Sequence, residues 1–125
     1  MKLPHGELLL FAKEVTKRTE DSIEIHCVFT MLPRLAMFIE AAAQCSAGFD
    51  LDDNIELGFL TMAKNIHLLE TIKENEYLFT LHKEALVGEY SQYSFEAVAL
   101  KSKVKVVKGS FTVMIKEKEK ELELE

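Results

Sequence analysis

Glu40 is the residue most open to a chemical reading. It is the only formal charge between Leu35 and Phe49, inside the largely apolar stretch PRLAMFIEAAAQCSAGF at residues 33–49. If that stretch is a helix, Gln44 lies one turn on along the same face and can orient the carboxyl group. A carboxyl group held among apolar side chains has a raised pKa, which suits it to proton transfer. The alternative is a carboxylate that points to solvent from an exposed stripe of the helix. The sequence leaves both open. Of the four histidines, His5, His26, His67 and His82, the first two are the candidate bases, and His5 reads otherwise as a structural residue that hydrogen-bonds backbone and holds the N-terminal segment. His26 lies in an alternating strand pattern and can serve only if that strand ends early; otherwise it is an exposed strand residue. His67 and His82 also fall in strand patterns and read as surface or hydrogen-bonded residues. No His or Cys pair has metal-ligand spacing, and no glycine-rich phosphate loop is present. Scattered Ser, His and Asp residues do not define a nucleophilic triad.

These residues must be positioned by the elements around them. Residues 8–18 and 22–29 read as a strand pair with a turn at Thr19–Asp21. In the second, Ile23, Ile25, Cys27 and Phe29 share one face, the period-two pattern of a half-buried strand. Residues 33–49 are Ala-rich with little β-branching. Pro33 suits the first position of a helix and Gly48 its end. A helix apolar nearly all round is buried on most sides, and no other helix is available to bury it, so a sheet must wrap around it. After a polar loop at 50–56, strands are expected at 57–69, 76–87, 89–100 and 103–115, with breaks at Lys73–Asn75 and Lys101–Ser102. Gly109 suggests a bulge. Short connections imply antiparallel pairing. The expected architecture is α+β, a curved antiparallel sheet around one long helix. It occupies residues 1–116 as a single domain, with a charged tail at 117–125.

Composition narrows the function classes. The chain has 125 residues, 48% hydrophobic and 29% charged, with 5 Gly and 2 Pro, which fits one globular domain. The net charge of −6 argues against nucleic acid as the main partner. The tail holds five Glu against two Lys, −3 of that total, and is assigned no function. No apolar run reaches the roughly 18 residues of a membrane span. The first residues lack the apolar stretch of a secretory signal, so a cytoplasmic location is expected. Cys27 and Cys45 read as free buried thiols.

Two motifs carry a family resemblance. Leu3-Pro4-His5, followed by Leu8-Leu9-Leu10 and Val15, is similar to the opening motif of the 3-hydroxyacyl-acyl-carrier-protein dehydratases. Glu40-Ala41-Ala42-Ala43-Gln44 is similar to the E-A-x-A-Q of their central helix. The order and spacing of the motifs and the strands downstream fit over essentially the whole chain. Within that resemblance the sequence looks closer to the short relatives associated with aryl-polyene lipid synthesis. The resemblance implies the hotdog fold. It also implies elimination of water from a 3-hydroxyacyl thioester, as in fatty acid biosynthesis, in a tunnel between two protomers. Glu40 then takes the role of acid, with His5 or His26 as the base. Pro33, Arg34 and Leu35 sit at the helix start, where amides meet the thioester carbonyl, and Gln44 lies beside the substrate. One departure matters. The family's G-H-F-P loop before the helix is replaced by TMLPR at residues 30–34, which holds no His. Gapless counting back from Glu40 puts His26 at the position of the family's His.

Three functions compete on this basis. The first is the dehydratase-like lyase. The second is a thioesterase, in which Glu40 activates water. The third is a non-catalytic acyl- or carrier-binding subunit that pairs with an active homologue, as the missing His predicts. The implied partner is an acyl thioester on acyl carrier protein or coenzyme A. A homodimer or an oligomer of dimers is expected, with no cofactor and no metal. Phe38, Ile39, Met31, Met37, Phe59, Leu60 and Met62 line an acyl tunnel or simply form core. Lys101, Lys103 and Lys105 share a face if residues 101–105 are extended, and with Arg34 they can meet an acidic carrier.

Overall fold

The computed structural model describes residues 12–46 and 59–114. The expected strand start at 8–11, the loop at 50–56, the helix end at Gly48 and the tail lie outside the described residues. The described chain forms β1 (Ala12–Arg18), β2 (Ser22–Val28), α1 (Leu35–Cys45), β3 (Phe59–Leu68), β4 (Glu76–Val87), β5 (Tyr90–Ala99) and β6 (Lys105–Met114). The strands build one six-stranded sheet in the order β1-β2-β4-β5-β6-β3. Every pairing is antiparallel. The expected α+β architecture, a curved sheet against one helix, is the one observed.

Alternation along each strand decides which side faces α1. Register aligns Ile25, Phe79, Ala97 and Val107 in one row across β2, β4, β5 and β6, all buried. The helix answers with Phe38, Ala41, Ala42 and Cys45, buried at helical spacing. Phe38 anchors the contact. Its ring lies 4.9 Å from Tyr77 in an edge arrangement, 5.5 Å from Phe29 and 5.9 Å from Phe79. Burying a ring of this size contributes on the order of 3 kcal/mol, and the aromatic geometry adds somewhat more.

Turns follow their sequences. Thr19 closes the β1–β2 hairpin: its Oγ1 accepts from the Ser22 backbone N–H at 3.0 Å, and its own N–H donates to Ser22 O at 2.8 Å. Gly88 has φ +62 at the first of two loop residues between β4 and β5, a backbone geometry that glycine supplies without strain. At the β5–β6 turn, Lys103 has φ +65 and its N–H returns to Ala99 O at 2.9 Å. Residues 101–103 are therefore turn, not strand, and the shared lysine face expected from an extended 101–105 does not form.

The irregularity expected at Gly109 falls on the neighbouring strand. β5 and β6 stay in register through Phe95–Gly109. The slip lies in β3 between Lys64 and His67, where Asn65 has φ +56. Asn is among the few residues that accept that region readily. The extra residue lays Ile66 directly over Gly109.

Candidate functional site

The approach to α1 is held by Asn75, the residue before β4. The Phe29 N–H donates to Asn75 O at 2.8 Å, and Asn75 Nδ2 donates back to Phe29 O at 2.8 Å. This bracket sets where β2 lets go. Met31 and Leu32 follow it, 60% and 55% exposed, and Pro33 is buried. Pro33 precedes the helix instead of opening it. Arg34 is the cap residue with extended backbone (φ −99, ψ 163), and Leu35 is the first helical position. The Arg34 N–H points at Met37 Sδ, 3.4 Å away, and the Met37 N–H donates to Arg34 O at 2.9 Å. The first turn holds no acidic residue, so no side-chain charge in it offsets the positive end of the helix dipole.

Glu40 is exposed on α1, on the side away from Phe38 and Cys45. Gln44 is half-buried. Its Nε2 donates to Glu40 Oε1 at 3.4 Å, while its Oε1 is shielded and has no hydrogen-bond partner among the described residues. The helix thus brings Glu40 and Gln44 together, and within one protomer the carboxylate meets solvent. One cavity among the described residues, of about 200 Å³, lies elsewhere. It is lined by Glu70, Lys73, Tyr77, Ser102 and Val106 among others, and by none of Glu40, Gln44 or His26.

His26 does not join Glu40 in the protomer. β2 runs on to Val28, so the strand does not end early. Alternation turns Cys27 toward α1 and His26 to the opposite face of the sheet. There Nε2 lies 3.4 Å from Glu76 Oε1, at ion-pair distance without hydrogen-bond alignment. The gapless count that places His26 at the family's His position ignores this strand phase. His67 and His82 are exposed strand residues, as expected. His5 lies outside the described residues. Of the proposed tunnel residues, Phe38 is core and Met37 and Ile39 are half-buried, whereas Met31, Leu60 and Met62 are exposed. Among the described residues no group of three His, Cys, Asp or Glu side chains is placed to hold a metal.

Two constellations went unseen in the sequence. The first is Glu74, which accepts the Lys101 N–H at 3.0 Å and the Ser102 N–H at 3.2 Å. Hydrogen bonds from the Ser102 side chain and these amides hold its carboxyl below the ordinary value. Tyr77 OH donates to Glu74 O at 2.8 Å, and burial pushes the phenol up. The second is Cys27 and Cys45, both free and buried, with sulfurs 3.5 Å apart. The bond to Cys27, and then burial, push the Cys45 thiol well above its usual range. Period two puts Cys27 inward, and helical spacing from Phe38 puts Cys45 inward, so a shared core was readable although their contact was not.

No protein-family model matches the chain, and no curated protein matches it significantly. Solved structures do. A thioesterase family protein from Silicibacter pomeroyi superposes with a TM-score of 0.64 at 11% identity, covering 85% of each chain. A Streptococcus mutans protein bound to acetyl-CoA gives 0.65 at 12% identity over 83% of this chain and 88% of its own. A hot-dog-like protein from Thermanaerovibrio acidaminovorans gives 0.57 at 14% identity over 74% and 68%. The chain therefore has the hotdog fold.

Proposed function

We propose that this chain binds acyl thioesters of coenzyme A and hydrolyses them at Glu40, in a site completed by a second copy of the chain. The observation that carries this reading is a single carboxylate on an otherwise apolar helix, held by Gln44 one turn away. Hydrolysis needs only one such group. The carboxylate takes a proton from water as the water oxygen bonds to the thioester carbonyl carbon. The tetrahedral intermediate then collapses, the C–S bond breaks, and the sulfur leaves as a thiol once protonated. The unoccupied Gln44 Oε1 suits an acceptor for that water. The start of α1 at Leu35, just after Arg34, supplies N–H donors and a positive dipole end for the developing oxyanion. Dehydration asks for a base in addition to an acid, and His26, the described candidate, lies on the face of the sheet opposite α1. Two of the similar structures are described as a thioesterase family protein and as bound to acetyl-CoA, which favours hydrolysis.

The second copy supplies what the protomer lacks. β3 is an edge strand of the described sheet, with Leu60 and Met62 44% and 56% exposed. Pairing at that edge covers apolar surface and extends the sheet.

The test is thiol release from acetyl-CoA and longer acyl-CoA by the purified chain. Hydrolysis by the wild type and a loss of about 100-fold or more in Glu40→Gln are expected. Equal rates in both remove Glu40 from the chemistry. Enoyl product from a 3-hydroxyacyl thioester without thiol release returns the dehydratase-like reading. Tight acyl-CoA binding without turnover selects the non-catalytic one. A monomer in light scattering refutes the shared site.

A further inference from the structure

We propose that Cys27 and Cys45 are a reversible dithiol–disulfide pair that locks the last turn of α1 to β2. The chain has two cysteines, 18 residues apart, and the fold sets their sulfurs in contact across a strand and a helix. Both side chains point into the core, at 0% and 1% exposure. A disulfide is about 2.05 Å long. From 3.5 Å the sulfurs need close by only about 1.5 Å, within reach of a small shift of the helix end. The enclosed loop contains the end of β2, the residues that launch the helix and all of α1. Its closure ties down the element that carries Glu40 and Gln44.

The oxidant is a hydroperoxide. One thiol, as thiolate, attacks the peroxide oxygen to give a sulfenic acid and an alcohol, or water from hydrogen peroxide. The second sulfur then attacks the first and displaces hydroxide, which leaves as water with the remaining proton. Two thiols are oxidised to one disulfide, and one peroxide is reduced. Burial and the hydrogen bond to Cys27 disfavour the Cys45 thiolate, so attack on the peroxide waits on opening of the helix end. The proposal stands apart from the thioester reading, and its readouts use no substrate.

The experiment treats the native, purified full chain with hydrogen peroxide, quenches it, alkylates it under denaturing conditions and weighs it. The expected product is 2 Da lighter than the reduced chain, takes up no alkylating agent, yields a linked Cys27–Cys45 peptide and reverts with dithiothreitol. It melts about 5–10 °C above the reduced chain. The proposal is overturned if the native chain keeps both thiols under a dose that oxidises them in urea. Sulfinic acids or intermolecular bridges as the products also overturn it. A cross-linked chain that melts at or below the reduced one overturns the lock.

Discussion

Replacing Gly109 by alanine tests the packing of β3 on β6 at a single atom. A Cβ at that position falls 2.3 Å from Ile66 Cδ1, and 3.2 Å from both Ile66 Cα and Phe95 Cε1. The first contact is with the end of a flexible side chain and can be relieved by a rotamer change. The other two involve backbone and a ring that is itself buried and stacked on Phe79 at 6.2 Å. Overpacking of this kind costs about 1–3 kcal/mol. Alanine also restricts the unfolded chain, which returns about 0.4–1 kcal/mol. The net expectation is a loss of about 1–2 kcal/mol, read as a lower urea midpoint with unchanged slope. Ile66→Val removes the Cδ1 atom and by itself costs about 0.5–1.5 kcal/mol. Combined with Gly109→Ala it should cost less than the sum of the two, because the closest clash is gone. A Gly109→Ala protein as stable as wild type, or strict additivity in the pair, refutes the account of Ile66 lying over Gly109.

Phe38→Ala should lose about 3–5 kcal/mol in the same urea titration, since it removes the ring that joins Phe29, Tyr77 and Phe79; a loss under 1 kcal/mol contradicts its role as the helix anchor. Glu74 has a folded-state pKa below its ordinary value of 4.5, so its clasp stabilises the fold at neutral pH. That contribution fades as pH falls below about 4.5 and through the lower folded value. Glu74→Gln should therefore be less stable than wild type at pH 7, with the gap narrowing in acid; a gap that widens in acid contradicts the sign.

The legible part of this fold was the part set by local chemistry. Period two in β2 fixed which residues face inward, and the Ala-rich, unbranched run after Pro33 marked α1. What could not be read was pairing at a distance. β3 joins β6 through partners such as Ala63 and Phe111, 48 positions apart, and no local pattern encodes that choice. Hence Gly109 advertised an irregularity without saying that the neighbouring strand carries it. Glu40 was readable further than the motif suggested. It lies about 200° around the helix from Phe38, so the wheel that buries Phe38, Ala41, Ala42 and Cys45 turns Glu40 outward. The same phase argument separates His26 from the helix, because its neighbour Cys27 already occupies the inner face. Glu74 and Asn75 gave no signal, since each acts on backbone groups brought near only by the finished sheet.

The strand order has a consequence for how the molecule is made. β4, β5 and β6 follow one another and zip by short hairpins, whereas β3 leaves the ribosome before its sole described neighbour, β6, has been synthesised. Until residue 105 emerges, β3 has no described strand to pair with, and Ile66, packed against the core in the finished sheet, has no Gly109 to lie over. Closing that pairing late carries a loop-entropy cost that slows completion of the sheet. It also lengthens the interval in which a growing polypeptide exposes sticky surface to its neighbours or to chaperones.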